Sequence, residues 1–229
     1  MSRALAFGSR QLAVSRFVRR SPSFSTFLPQ TTAIHAGETQ NPHTHASAPD
    51  LCMSTTFGAT KVSSFSAVDQ EEGDTSFIYT RWGNPTINAL ETKLCALEKA
   101  ADGKCFASGM AASTALLLGR LSAGDHLICS DINYPGTAEL VRNTLPRFGI
   151  EISCVDTSNV QNVKDSLREN TKMVWLETPC NPILRLSDIQ AVSEVTREHK
   201  YAKLVVDSTF ATPVGTRPLD LGADFVVHS

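Results

Sequence analysis

The sequence predicts an α/β protein whose mostly parallel sheet is covered by helices on both faces. Three observations lead there. Short segments with apolar centres, HLICS (126–130), EISCV (151–155), KMVWLE (172–177), AKLVVD (202–207) and DFVVHS (224–229), recur along the second half of the chain. Between them lie TAELVRNTLPRF (137–148), VQNVKDSLREN (160–170) and LSDIQAVSEVTREHK (186–200), whose apolar residues return at helical spacing. Polar residues gather where strands end, at Ser108, Ser130 and Asp131, Glu177, Asp207 and Ser208, and His228 and Ser229. Such alternation implies parallel strands joined by crossover helices. In open sheets of this kind, ligands sit at the carboxyl edge.

Taken in order, the first 27 residues stand apart. They carry Arg3, Arg10, Arg16, Arg19 and Arg20 and many serines, and no acid precedes Glu38. On a helix, Val14, Phe17 and Val18 would share one side and Arg16, Arg19 and Arg20 the other. These features predict an organellar, mitochondrial presequence, with a disordered basic tail or a cytoplasmic protein as the alternatives. Residues 28–75 are polar and interrupted by Pro29, Pro42, Pro49, Gly58 and Gly73, so an extended arm is expected outside the sheet. Thr55, Phe57 and Phe65 suggest that it packs on something. Residues 76–229 form the large domain. Its opening TINALETKLCALEKA (86–100) places Leu90, Leu94 and Leu97 on one side of a helix. KCFAS (104–108) is a strand candidate, and GMAASTALLLGRL (109–121) a nearly all-apolar helix expected to be buried.

Composition narrows the function classes. The 21 basic and 23 acidic side chains leave a formal charge of −2, and beyond residue 40 the cations are dispersed. Nucleic acid is not an expected partner, because phosphate backbones reward a concentrated basic surface. Even the apolar run at 115–118 is far too short for a bilayer, so no membrane partner is expected. Six cysteines without a CxxC pair read as free thiols in a reducing compartment, and no metal site is predicted.

Four stretches can carry chemistry. In SGMAA (108–112) a strand meets a helix, and the first helical amides, Gly109 and Met110, could hold a phosphate. A plain tight turn explains the same residues equally well. YTRWGNPT (79–86) offers the forked cation of Arg81 and the hydroxyl of Tyr79, though an exposed Tyr–Arg pair often has no role. WLETPCNP (175–182) ends a strand with Glu177 and Asn181; Glu177 could cap the following turn, and Asn181 could close an Asx-turn. VVDST (205–209) is the most telling. Asp207 should lie at the edge of a buried sheet, where a carboxylate needs a cationic or hydrogen-bonding partner. With no metal-ligand spacing nearby, a protonated heterocyclic nitrogen of a cofactor is one candidate, and a structural salt bridge the other.

Together YTRWGNPT, ASGMAA, DINYPGT, WLETPCNP, VVDSTFATP and LGADFVVHS resemble the Cys/Met-metabolism family of pyridoxal-phosphate enzymes. That family includes cystathionine γ-lyase, cystathionine β-lyase, methionine γ-lyase and cystathionine γ-synthase. The resemblance runs from about residue 30 to the last residue. It implies a fold-type I, aminotransferase-like large domain and pyridoxal 5'-phosphate as cofactor. It also implies a sulfur amino acid substrate and a homodimer, usually doubled into a homotetramer. By resemblance, Tyr79 and Arg81 reach the cofactor phosphate of the neighbouring subunit. Gly109, Met110 and Ser229 hold the phosphate in their own subunit. Tyr134 stacks on the ring and takes part in proton transfer, and Asp207 pairs with the ring nitrogen. Thr209 lies beside the ring, Asn181 meets its 3'-oxygen, and Glu177 and Asn181 border the substrate.

In the family, the Schiff-base lysine follows soon after the HS of His228 and Ser229. The chain ends before that lysine and before the smaller C-terminal domain, and Lys203 is no substitute because it opens a strand away from the ligand edge. The expectation is therefore a fragment, inactive alone, of a carbon–sulfur lyase acting by β- or γ-elimination on cystathionine or a related substrate. A γ-replacement enzyme is the alternative within the family, and a non-catalytic remnant that binds a full-length subunit the alternative outside it. Two departures stand out: Ser208 replaces the Asn of many members, and Gly136 stands where methionine γ-lyases typically carry Cys.

Overall fold

The computed structural model describes residues 27–58 and 77–229. The presequence reading of residues 1–27 and the packing of Phe65 lie outside these residues, apart from Phe27. Five strands, β1 (His126–Ser130), β2 (Glu151–Val155), β3 (Thr171–Glu177), β4 (Lys203–Asp207) and β5 (Phe225–Val227), form one sheet in the order β2-β1-β3-β4-β5. All four pairings are parallel. The expected mostly parallel sheet is therefore present, with the segments at 126–130, 172–177 and 202–207 as its three central strands.

Period-two alternation sends the strand residues into two cores. Leu127, Cys129, Met173, Trp175, Val205 and Val227 pack on one face with Leu117, Val141 and Leu145. Those three come from helix α3 (Gly109–Arg120), the π-helical turn Leu140–Thr144 and the 3-10 turn Leu145–Phe148, which continue α4 (Pro135–Glu139). Ile128, Val174, Leu176, Leu204 and Val206 face the other way, onto Val163 of α5 (Val160–Ser166) and Ile189 and Val192 of α6 (Ile189–Arg197). Each helix begins where its sequence invites it to. The side chains of Ser108, Asn159 and Asp188 accept from amides in the first turns of α3, α5 and α6, satisfying donors that a helix start leaves unpaired.

Three expectations need correction. KCFAS is not a strand: a strand exists only through its ladder, and residues 104–108 find no ladder partner among the described residues. Instead Glu91 of α2 (Pro85–Glu98) holds this segment, accepting from the Cys105 amide at 2.9 Å and the Lys104 ammonium at 3.0 Å. The apolar helix α3 is not wholly buried. Only Ser113 and Leu117 are fully enclosed, and Leu118 is 40% exposed. Nor is the arm extended throughout. It contains α1 (Pro29–His35), which packs against α2, where Lys93 Nζ donates to the Ile34 carbonyl and pairs with Glu38. Proline at its first helical position favours that helix, because its φ is preset and its missing N–H is not needed there. Further along, the arm does run extended and pairs antiparallel through Thr56 and Tyr79.

Candidate active site

Strand register builds the site. Glu177 and Asp207 end β3 and β4 directly opposite each other. Being two positions beyond Trp175 and Val205, they lie on the same face as those residues, the one covered by α3 and the turns that continue α4. Asp131, just beyond β1, and His228 and Ser229, just beyond β5, complete the carboxyl edge.

The two carboxylates are used differently. Glu177 is buried, and each of its oxygens accepts a backbone amide at 2.7 Å, Oε2 from Tyr134 and Oε1 from Asn181. It thereby ties the loop before α4 to the loop after β3, which is more than a cap for its own turn. Burial pushes its carboxyl above the ordinary range; the two amides pull it back, and the charge of Asp207 adds to the rise. Asp207 is half-buried. Its Oδ1 accepts from the Thr209 hydroxyl at 2.6 Å and the Thr209 amide at 3.1 Å, while Oδ2 has no partner among the described residues. The Thr209 hydroxyl oxygen in turn accepts the Ser229 amide at 3.1 Å.

Gly109 and Met110 open α3 immediately beside this chain of bonds. The Ser108 hydroxyl accepts from Ala111, leaving the first two helical amides without an acceptor among the described residues. A Cβ built on Gly109 would stand 2.4 Å from Ser229 Cβ and 2.5 Å from its Oγ, so only glycine permits this approach. Tyr134, 46% exposed, lies over Gly136, where an added Cβ would meet the tyrosine ring at 2.6 Å and Met110 Sδ at 2.9 Å. Ser208, next to Asp207, buries a hydroxyl that has no partner among the described residues.

The structure thus gathers Gly109, Met110, Tyr134, Glu177, Asn181, Asp207, Thr209 and Ser229 around one edge of the sheet. It does not bring Tyr79 and Arg81 there: among the described residues neither bonds to that group. The Arg81 guanidinium instead lies 4.9 Å over the Tyr79 ring, which meets Trp82 edge-on. Lys203 lies at the opposite end of β4, paired with Asp224 at 2.8 Å.

Two clusters escaped the sequence reading. Arg185 pairs with Asp131 and, at 3.2 Å, with Asp156, binding the loop that carries Asn181 to the ends of β1 and β2. Glu98 at the end of α2 accepts from or pairs with His228 Nε2 at 2.7 Å. A signal for the second was present: Glu98 follows Leu90 and Leu94 at four-residue spacing, and an acid on an apolar helix face implies a buried partner.

The donor set suits a phosphorylated, cationic heterocycle. Two free helix-start amides lie beside Ser229, an open carboxylate oxygen lies on Asp207, and an aromatic ring borders them. Among the described residues no cluster of His, Cys, Asp and Glu could hold a metal, and no helix is long and apolar enough to cross a membrane.

The chain is similar to proteins of one enzyme family in sequence and in fold. The chain is 42% identical over 200 residues to an L-methionine gamma-lyase of Fusobacterium nucleatum subsp. nucleatum, covering 87% of this chain and 50% of that protein. It is 38% identical over 201 residues to the cystathionine gamma-synthase of Mycobacterium tuberculosis, covering 88% of this chain and 50% of that protein. Among solved structures, metB from Corynebacterium glutamicum superposes with a TM-score of 0.83 at 41% identity, covering 90% of this chain and 51% of the other. The cystathionine gamma-lyase from Lactobacillus plantarum, complexed with L-serine, gives 0.80 at 36% identity, over 88% and 50%. The chain therefore spans about half the length of these relatives. Residues 30–229 match the family model of the Cys/Met metabolism PLP-dependent enzymes, and with this sheet and these levels of identity the chain belongs to that family.

Proposed function

We propose that the chain is the cofactor-binding part of a pyridoxal-phosphate-dependent carbon–sulfur lyase that eliminates a thiol from cystathionine or a methionine-like amino acid. The observation that carries this reading is the pairing of an open Asp207 oxygen with the free amides of Gly109 and Met110 across Ser229. Bound there, pyridoxal phosphate supplies an electron sink for the pair released when the substrate loses its α-proton.

The residues divide that work. Gly109 and Met110 donate amides to the phosphate, helped by Ser229 and by the positive end of α3. Asp207 would hold a proton on the ring nitrogen, and Thr209 fixes the aspartate's orientation through its two bonds to Oδ1. Tyr134 would cover the ring and would take part in proton transfer at the substrate. Asn181 would lie by the ring's 3'-oxygen. Glu177 borders the substrate and holds both Tyr134 and Asn181 by their amides. Tyr79 and Arg81 serve the phosphate of a neighbouring subunit in a homodimer or homotetramer, which fits their separation from this edge. Residues 1–27 are assigned a mitochondrial address; a reporter fused to them should enter mitochondria, and diffuse cytosolic fluorescence would contradict it.

A γ-replacement reading is kept because a probable cystathionine gamma-synthase of Herpetosiphon aurantiacus is 41% identical, nearly level with the L-methionine gamma-lyase. The complete gene product, loaded with cofactor, separates the two. Release of 2-oxobutanoate and ammonia from cystathionine supports the lyase. Product formed only from an activated homoserine plus cysteine would replace it with the synthase.

A further inference from the structure

Glu98 is the one residue of α2 that is fully buried, at 2% exposure, on a helix whose leucines are all more exposed than it is. Its Oε1 lies 2.7 Å from His228 Nε2, and its Oε2 has no partner among the described residues. As a contribution to folding this is a poor arrangement. A half-satisfied buried carboxylate costs free energy, and an apolar side chain of similar volume would fill the space more cheaply. The carboxylate makes sense through what it holds. His228 is joined directly to Ser229, whose side chain occupies the space that a Cβ on Gly109 would need. The Ser229 amide is held from the other side by Thr209. Ser229 is thus pinned at two points, by Thr209 on its own amide and by Glu98 through the preceding residue.

We infer that Glu98 is a positioning residue which, through His228, sets Ser229 against the start of α3 and so shapes the phosphate-binding corner. The inference rests on the proposed phosphate role of Gly109, Met110 and Ser229. Glu98 touches neither cofactor nor substrate. Its effect is confined to the phosphate end, because Asp207 and Thr209 hold the ring end by their own bonds.

The test compares two ligands, pyridoxal 5'-phosphate and pyridoxal, which differ only in the phosphate. Dissociation constants are measured by equilibrium dialysis on the cofactor-free form of the complete gene product. Wild type should prefer the phosphorylated ligand by on the order of a hundredfold, given several charge-assisted bonds to the phosphate. Replacing both partners together, Glu98→Leu with His228→Leu, leaves no unpaired polar group behind and so spares the fold. That double variant should lose about tenfold or more of the preference, through weaker binding of pyridoxal phosphate with unchanged binding of pyridoxal. Glu98→Gln keeps an oxygen for His228 and should stay near wild type, while Glu98→Ala should follow the double variant. A general packing role would weaken both ligands alike, and that result overturns the inference. Preference fully retained in the double variant and in Glu98→Ala overturns it as well. A wild type that binds the two ligands equally defeats the phosphate reading itself, and the inference with it.

Discussion

Asp207 commits one oxygen to Thr209 and leaves the other open, at the end of a strand whose preceding residues are apolar and buried. Its candidacy was legible in VVDST because an acid at the end of a buried strand needs a partner. The partners of Glu177 were not legible, since the amides of Tyr134 and Asn181 come from loops 43 and 4 residues away in sequence. Gly109 offers the sharpest substitution. Gly109→Ala would drive a methyl into Ser229, whose Cβ lies 2.4 Å from the new atom's position. Affinity for pyridoxal phosphate should fall by tenfold or more, with the helical circular dichroism of the protein preserved; unchanged affinity would contradict the close approach. The atoms nearest a Cβ at Gly136→Cys belong to the Tyr134 ring and the Met110 sulfur, both on side chains that can move. The substitution should leave thermal stability within about 1 kcal/mol of wild type and turn the Tyr134 ring, an outcome that a crystal structure of the variant would check.

At the level of elements, the strands were the most legible part, because period-two burial on both faces leaves short apolar runs that are hard to mistake. KCFAS looked the same and failed, since residue content cannot reveal whether a ladder partner lies alongside. The burial of α3 was misjudged for a related reason. Leu90 and Leu118 are apolar but exposed, and periodicity reports which side of a helix is apolar without saying what covers it. Asp188 accepts from the Ala191 amide at 2.9 Å and opens α6, whose Ile189 and Val192 fill the second core. Asp188→Ala should destabilise the protein by about 1 kcal/mol in urea unfolding, and no change in the midpoint would deny the cap its role. Glu177→Ala removes a buried acceptor from two amides and should cost about 2–4 kcal/mol. It should also loosen Tyr134 and Asn181 together.

Across the whole molecule the ligand edge and the opposite edge of the sheet serve different ends. At the opposite edge His126 is fully buried between the hydroxyls of Thr171 and Ser153, at 2.8 and 2.9 Å. Burial pushes its pKa down to about 4, with nearby Arg168 lowering it further and Glu151 opposing. An unfolded chain takes up this proton near pH 6.5 and the folded one only near 4, so this part of the stability is present above pH 6.5 and is lost as the pH falls toward 4. Replacing His126 with Gln should flatten the stability profile across that window, and an unaltered slope in acid unfolding would contradict it. The separation of Tyr79 and Arg81 from the ligand edge makes a second prediction on this scale. If Arg81 serves a neighbouring subunit, as proposed, inactive Arg81→Ala and Asp207→Ala variants of the complete gene product, unfolded and refolded together, should regain activity, because a hybrid dimer would contain one site with both residues intact. Activity that stays absent after mixing would place Arg81 in the site of its own subunit.

The central claim is that Asp207 keeps a proton on the ring nitrogen of pyridoxal phosphate. The most direct measurement is the nitrogen resonance of cofactor labelled with nitrogen-15 in its ring, bound to the complete gene product and to its Asp207→Ala variant. The account predicts a protonated pyridinium signal at neutral pH in the wild type and an unprotonated one in the variant, accompanied by much slower exchange of the substrate α-proton with deuterium. An unprotonated ring in the wild type, or the same protonated signal in both proteins, would contradict it.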